Sequence, residues 1–388
     1  MPFDMRRRVL PTPAALFRDA AGAPAGLWLD PSDFSAMYQD EEGTTPVTGA
    51  GDPVGLILDK SQGGLNALGA EEVTNGGFDT DTDWTKGTGW TIGSGVASCD
   101  GSQASPTNLY QTDVVTEGVW YQVTLDVTTT SGAWSLYIGN GHQTSSQTGS
   151  GSFSFVVRAV GDTRFIVNGS STFIGSIDNI SVRELPGNHA IQSVNNDYRP
   201  TLQQDGNGKW YLDFDGVDDY LQVSSLDLSG TDKVSIFAGI HKDSDAAQAM
   251  LLEYSADATT NNGAFNFRAP RTTSLGPYGV TMRGTLQTSP YTTNAQFNAP
   301  VSTLVTVLGD ISGDSAIMRL DGEEWANATG DLGTGNFGNH TLYIGSRAGS
   351  SQFFNGRSYG LTVVGKQVTA AELSLSELHS ARKAGISI

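Results

Sequence analysis

The sequence predicts an all-β protein: two β-sandwich domains, one inserted in the other, with a short C-terminal helix. Three observations predict it. Short apolar stretches alternate with polar residues at period two, as in WYQVTLDVT, where Tyr121, Val123, Leu125 and Val127 oppose Gln122, Thr124 and Asp126. Gly, Ser, Thr and Asn recur between those stretches as turns. Long helical periodicity is nearly absent until the last twenty or so residues. Hydrophobic residues make up only 38% of the chain, but its 48 glycines bring the apolar share to a normal level, so two cores are possible.

In chain order, residues 1–24 are rich in Pro and Ala, carry Arg6, Arg7 and Arg8, and predict an extended N-terminal arm. The arm is either a disordered terminus or a peptide that docks on a partner. Its apolar stretch is short and interrupted by Pro11 and Pro13, which argues against a secretory leader. Residues 25–65 hold two strand-like pieces, GLWLD and VGLILD, with a turn or helix-start signal at Asp30-Pro31-Ser32-Asp33 between them. Residues 70–185 form a self-consistent block of about seven short strands, the pattern of a β-sandwich. Residues 187–388 form a second all-β block, with KVSIFAGI alternating Val234, Ile236, Ala238 and Ile240 against Lys233, Ser235, Phe237 and Gly239. Asp215-Gly216 and Asp321-Gly322 are placed for hairpins. A helix is predicted over 370–384, opened by a Thr369–Glu372 capping box and closed near Lys383 and Gly385, with Leu373, Leu375 and Leu378 as its apolar side.

Charge and cysteine content narrow the function classes. With 41 acidic against 22 basic residues the net charge is −19, which disfavours nucleic acid and suits cations or neutral sugars. The single cysteine, Cys99, excludes an intrachain disulfide framework; it reads as a buried, inert thiol in a chain assembled in a reducing cytosol. No stretch approaches a membrane span, so no membrane insertion is expected. The five histidines are scattered without zinc spacing, and neither a nucleophile elbow nor a phosphate loop is present. Glycosidase chemistry needs two carboxylates facing one cleft. Glu323 and Glu324 are adjacent and point to opposite faces of a strand, and the acids of DFDGVDD are explained as solvated residues of a hairpin, with calcium as the competing reading. No catalytic residue is assigned.

Sugar recognition calls for exposed aromatic platforms with amides nearby. The candidates are Trp84, Trp134 and Tyr137 with Asn140 and Gln143, although any one of these tryptophans is as readily a core residue. Trp28, Trp120 and Trp210 read as core anchors.

The stretches YLDFDGVDDYLQVS, MRLDGEEW and LYIGSRAGSSQFFNGRSYGLTVVGKQVTAAEL resemble the concanavalin-A-like, laminin-G-like jelly-roll family. Residues 70–184 resemble carbohydrate-binding jelly rolls through Asn75-Gly76-Gly77-Phe78 and Ile177-Asp178-Asn179-Ile180-Ser181-Val182. This second resemblance implies a structural calcium held by Asp178 and residues near Asn75; the alternative is an Asp capping a strand-edge turn. Residues 27–65 resemble the opening of laminin-G-like proteins of tailed bacteriophages, in which the DKS turn runs straight on into GNHAxQ and RPTL. Here Asp59-Lys60-Ser61 and Gly187-Asn188-His189 are separated by the 70–185 block, which therefore reads as inserted; the alternative is three domains in a row. These resemblances imply a non-enzymatic phage virion adhesin, or tail-fibre protein, made in the host cytoplasm. It would bind host-surface polysaccharide and attach to other virion proteins through the arm. The rivals are a head fibre or capsid decoration protein, a polysaccharide-degrading enzyme and a bacterial glycan-scavenging protein. A homo-oligomer, with a trimer among the options, would form without a coiled coil, since no heptad is present.

Overall fold

The computed structural model describes residues 12–18, 24–271, 277–292 and 294–388, and all that follows concerns these. Most of the predicted arm, including Arg6, Arg7 and Arg8, lies outside the described residues. The chain divides into two compact units: residues 1–40, 46–63 and 187–388 in the first, residues 41–45 and 64–186 in the second.

The first unit is built on two antiparallel sheets. An eight-stranded sheet runs in the order Thr201–Gln204, Trp210–Asp215, Asn355–Val364, Lys233–Lys242, Val301–Asp310, Ser315–Leu320, Glu323–Ala328, with Gly26–Leu29 also pairing Asn355–Val364. A ten-stranded sheet runs Met37–Tyr38, Leu56–Ile57, Ala190–Ile191, Leu221–Asp227, Asn339–Ile344, Met250–Tyr254, Ala264–Arg268, Tyr278–Arg283, Gln287–Thr288, with Tyr291–Thr292 also pairing Tyr278–Arg283. Alternate residues of both sheets, among them Ile236, Ile240, Tyr254, Phe265, Phe267 and Val307, meet in one core.

Lys233–Lys242 is covered on both faces. Val234, Ile236, Ala238 and Ile240 enter the main core, while Phe237 joins a second cluster with Leu16, Phe17, Trp28, Leu308 and Val364. Leu16 and Phe17 come from a 3-10 turn at Pro13–Phe17, so this part of the predicted arm is not extended; its apolar residues are buried on the unit's own surface.

Asp321-Gly322 is a two-residue hairpin turn with φ values of 50° and 82°, as its sequence predicts. Asp215-Gly216 is not. The strands it separates belong to different sheets, so the turn is a crossover, because the apolar faces flanking it close the sandwich from opposite sides.

The helix spans Ala370–Lys383 and has the full capping box. Its C-terminus closes with Gly385 at φ 69° and the Ile386 N–H donating to the Ala381 carbonyl. The predicted leucine stripe is met in part: Leu373 packs on the cluster around Phe237 and Leu378 is half-buried, but Leu375 stays exposed and the fully buried residues are Ser376, Glu377, Ser380 and Ala381. Around Ser380 and Ala384 the helix lies too close to the sheet for leucines; a Cβ on Gly239 would stand 2.7 Å from the Ser380 carbonyl oxygen. Glu377 is covered because Arg319 donates to it from Nε at 2.8 Å.

At the C-terminal end of the helix, Lys383 bridges Asp30 at 2.7 Å, with Lys60 at 3.4 Å and the Ser32 hydroxyl donating at 2.7 Å. Burial pushes the Asp30 carboxyl up, but Lys383, Lys60 and Ser32 together outweigh it and hold it at about 2. The depressed value means that this stabilisation is present above the unfolded pKa and is lost as pH falls from about 4 towards 2. Asp30→Asn is expected to cost about 2 kcal/mol at pH 7, with the gap to wild type closing across that window. Denaturant unfolding of both proteins at pH 7, 4 and 2.5 checks it; a constant gap refutes the pairing.

The second unit is a sandwich of two five-stranded antiparallel sheets. One runs His142–Gln143, Trp134–Ile138, Phe165–Gly169, Thr107–Gln111, Thr85–Lys86; the other runs Gly151–Arg158, Trp120–Ser131, Ile174–Glu184, Val96–Cys99, Trp90–Gly93. Val123, Leu125, Val127, Phe155, Val157, Ile177 and Val182 fill the space between them together with Trp84, Trp90 and Trp134. Residues 41–45 belong to this unit and not, as the sequence suggested, with the rest of 25–65: the Val156 N–H donates to the Glu42 carbonyl at 2.8 Å. Cys99 is buried, and burial raises its thiol pKa.

Candidate functional site

The strand Trp120–Ser131 alternates as its sequence indicates: Tyr121, Val123, Leu125 and Val127 are buried, so Thr124, Asp126 and Thr128 face outward. Its neighbours continue the polar face. Ser154 and Ser181 flank Thr124, Ser152 and Asp178 flank Asp126, and Ser176 stands beside Thr128. A bulge between Asp178 and Ser181 swings Asn179 onto the same face, where its Nδ2 donates to Asp126 at 2.8 Å. The Ser152 hydroxyl donates to the other oxygen of Asp126. These two bonds, Ser152 foremost, hold the Asp126 carboxyl below the usual carboxylate range.

Two adjoining clefts open over this face. One, of about 400 Å³, is lined by Asp126, Thr128, Ser150, Ser152, Ser176 and Asp178. The other, of about 340 Å³, is lined by Thr124, Asp126, Ser152, Phe153, Ser154 and Asn179. The face is a dense array of hydroxyls, carboxylates and one amide, fitted to exchange hydrogen bonds with a polyhydroxylated ligand.

Of the residues singled out from sequence, Asp178 lies in this groove. Trp84 and Trp134 do not, and both assignments as stacking platforms are corrected. Trp134 is 1% exposed and packs edge-on against Phe153 at 4.8 Å between ring centroids. Trp84 is 7% exposed, packs on Phe78 and donates from Nε1 to the Asn75 carbonyl at 3.1 Å. Both rings are spent on the core between the two sheets. Tyr137, Asn140 and Gln143 are brought together elsewhere, on an edge hairpin of the opposite sheet. Tyr137 is half-buried and paired with Gln143, whose Nε2 donates to Ser135, and Asn140 is exposed in the turn.

The two motifs that suggested calcium form a clasp. The Ile180 N–H donates to the Gly76 carbonyl at 3.0 Å, and a Cβ on Gly76 would stand 2.0 Å from the Ile180 oxygen, so glycine is required there. The Asn75 side chain is committed to its own loop, donating to the Thr80 carbonyl at 2.7 Å and the Thr82 carbonyl at 3.1 Å. Calcium takes six to eight oxygens. Asp178 and Asn75 alone fall short of such a cage, and no step is assigned to a metal.

Among the described residues, three carboxylates converge at Asp215, Asp218 and Asp219. Their arrangement follows from the crossover turn: Asp219 accepts from the Asp215 N–H, and Asp215 accepts from the Val217 N–H. Burial, with Asp215 and Asp218 nearby, pushes the Asp219 carboxyl up to about 7. Glu323 and Glu324 are both exposed.

Residues 215–374 match the family described as the concanavalin A-like lectin/glucanases superfamily, so the first unit carries a concanavalin A-like, laminin-G-like domain. No curated protein matches the chain. Among solved structures, the chain is similar to the CBM40 of a Ruminococcus gnavus IT-sialidase bound to α2,3 sialyllactose: 18% identity, 39% of this chain and 95% of that one, TM-score 0.29. It is similar to the binding domain of botulinum neurotoxin serotype G: 12% identity, 52% of this chain and 49% of that one, TM-score 0.38. It is also similar to the Trypanosoma rangeli sialidase in complex with the inhibitor DANA: 10% identity, 49% of this chain and 29% of that one, TM-score 0.34. At such scores none of the three carries an argument about this chain's activity.

Proposed function

We propose that the chain is a non-enzymatic glycan-binding protein whose second unit, inserted in the concanavalin A-like one, reads polysaccharide through the groove at Thr124, Asp126, Ser152, Ser176, Asp178 and Asn179. The observation that carries this reading is the placement of Asp126 directly opposite Asp178 on neighbouring strands. Like charges facing across a sheet oppose folding. Asp126 is held in place by Ser152 and Asn179, and both acids, set among outward hydroxyls, keep lone pairs suited to accepting hydrogen bonds from sugar hydroxyls.

The setting we propose is the surface of a tailed-phage particle. It is supported by the resemblance of residues 27–65 to laminin-G-like phage proteins. On a particle, many weak sugar contacts gain by copy number, and avidity adds about 10²–10⁴ without new contacts.

The test uses the full chain with Asp126→Ala and Asp178→Ala combined. The variant loses the solvent-facing Ser152 and Asn179 bonds to Asp126 together with the facing of two like charges, so it should stay folded and melt within a few degrees of wild type. Retention on envelope polysaccharide from a host panel should fall at least about tenfold, the loss of one or two charge-assisted hydrogen bonds. Undiminished retention by the folded variant refutes the groove as the reader. Release of reducing sugar from the same polysaccharide would overturn the non-enzymatic reading.

A further inference from the structure

The outward face of the ten-stranded sheet in the first unit carries a second polar array. Leu252, Tyr254, Phe265, Phe267, Val280 and Met282 point into the core, so Glu253, Asn266, Arg268 and Thr281 face the other way. Glu253 stands opposite Asn266, and Asn266 opposite Thr281. All three are almost completely buried.

Arginines cover them. Arg268 is locked by two hydrogen bonds, from Nε to Asn266 Oδ1 at 3.2 Å and from Nη2 to Thr281 Oγ1. Arg271 lies over the strand Tyr278–Arg283, where Gly279 leaves room; a Cβ there would be 2.5 Å from the Arg271 Cδ. Its guanidinium stacks on Tyr291 at 4.0 Å from the ring centroid, and that ring is 46% exposed. Arg347 is different: it pairs with Asp257 and lies 3.7 Å from Glu253.

Arg268 and Arg271 have no such direct ion pair; Glu253 acts on Arg268 only from beyond contact distance. Among the described residues, no carboxylate lies within salt-bridge distance of either. Burial lowers the Arg268 pKa and the charge of Arg271 lowers it further; Glu253 opposes the shift, Arg347 adds to it, and the net direction is down. Two partly desolvated cations side by side are costly, and in a protein of net charge −19 carboxylates to neutralise them were abundant. One donor on this face, Arg271 Nε, is also buried without an acceptor; Asn266 Nδ2 and Glu253 Oε2, opposite each other on paired strands, make no well-formed hydrogen bond but serve each other as donor and acceptor. Stacking on Tyr291 and anchoring by Asn266 and Thr281 fix both guanidinium planes in advance, the preorganisation that bidentate oxyanion recognition rewards.

We propose that Arg268 and Arg271 form a binding site for an oxyanion, the carboxylate or sulfate of an acidic saccharide. The site is separate from the groove of the second unit and does not depend on that groove's role.

The test titrates the full chain with a polyuronate, a sulfated polysaccharide and neutral dextran, using inorganic sulfate as competitor. The net negative charge of the protein opposes non-specific attachment of polyanions, so saturable binding is diagnostic. One or both acidic polymers should bind and dextran should not displace them; which acidic polymer binds identifies carboxylate or sulfate as the ligand. Arg271→Gln and Arg268→Gln should each weaken binding roughly tenfold to a hundredfold, and Arg271→Lys should fall between. Arg271→Gln, at the more open position, keeps the test valid if Arg268→Gln lowers the melting temperature. Asp126→Ala with Asp178→Ala should leave this binding unchanged, which separates its failure from failure of the groove. Absence of binding to both acidic polymers overturns the proposal, as does full-strength binding by folded Arg271→Gln.

Discussion

Asp59→Ala is expected to destabilise the first unit by about 4 kcal/mol, roughly a 10 °C fall in its melting temperature. Asp59 is fully buried and accepts four hydrogen bonds: from the N–H of Trp28 and of Ser61 on one oxygen, and from the Ser61 hydroxyl and the Asn188 N–H on the other, each at 2.8 Å. Its own N–H donates to His189 Nδ1 at 3.0 Å. One carboxylate thus ties the strand Gly26–Leu29, the turn after Leu56–Ile57 and the segment leading into Ala190–Ile191. Alanine strands four donors in the interior, and buried unsatisfied donors cost far more than a made hydrogen bond returns. Asparagine should rescue little, because every partner is a donor and the new amide would turn an N–H₂ towards two of them. Urea unfolding of wild type, Asp59→Ala and Asp59→Asn decides it; near-wild-type stability of the asparagine variant would show that a single acceptor oxygen suffices.

Trp134→Ala is expected to cost the second unit about 3–5 kcal/mol. The ring is enclosed by Phe153 and Phe155, both edge-on, and the backbone on either side is fixed by paired hydrogen bonds with Gln147. Alanine leaves a cavity the size of an indole between two sheets that cannot both move in. Trp134→Phe should recover most of the loss and retain polysaccharide binding. A binding defect in Trp134→Phe at unchanged stability would instead restore this residue to the ligand site. Thermal unfolding alongside glycan retention for the three proteins separates the two roles.

How much of this was legible beforehand varied with the range of the interaction. Period-two alternation in WYQVTLDVT placed Thr124 and Asp126 on the polar side, and the strand bears this out. The Thr369–Glu372 box and Gly385 marked both ends of the helix, because capping is decided within a few residues. The leucine stripe held only at Leu373 and Leu378; Gly239 on the neighbouring strand lets the helix come in on Ser380, and nothing in the helix's own sequence encodes that neighbour. The tryptophans failed for a related reason. A Trp on a short strand suits either a core or a platform, and only the partner sheet determines which.

The sequence by itself determined the all-β class, most strand positions, the helix with its caps, the acidic charge balance and the resemblance of residues 215–374 to concanavalin A-like domains. All of these are local or compositional. Only the tertiary structure decided that Asp126 faces Asp178, that Glu253, on the same face as Arg268, is met by Arg347, and that Asp59 reaches Asn188 and His189. Those pairings join residues far apart in the chain, and strand order and register, set by how whole sheets bury their apolar faces, fix which distant residues meet.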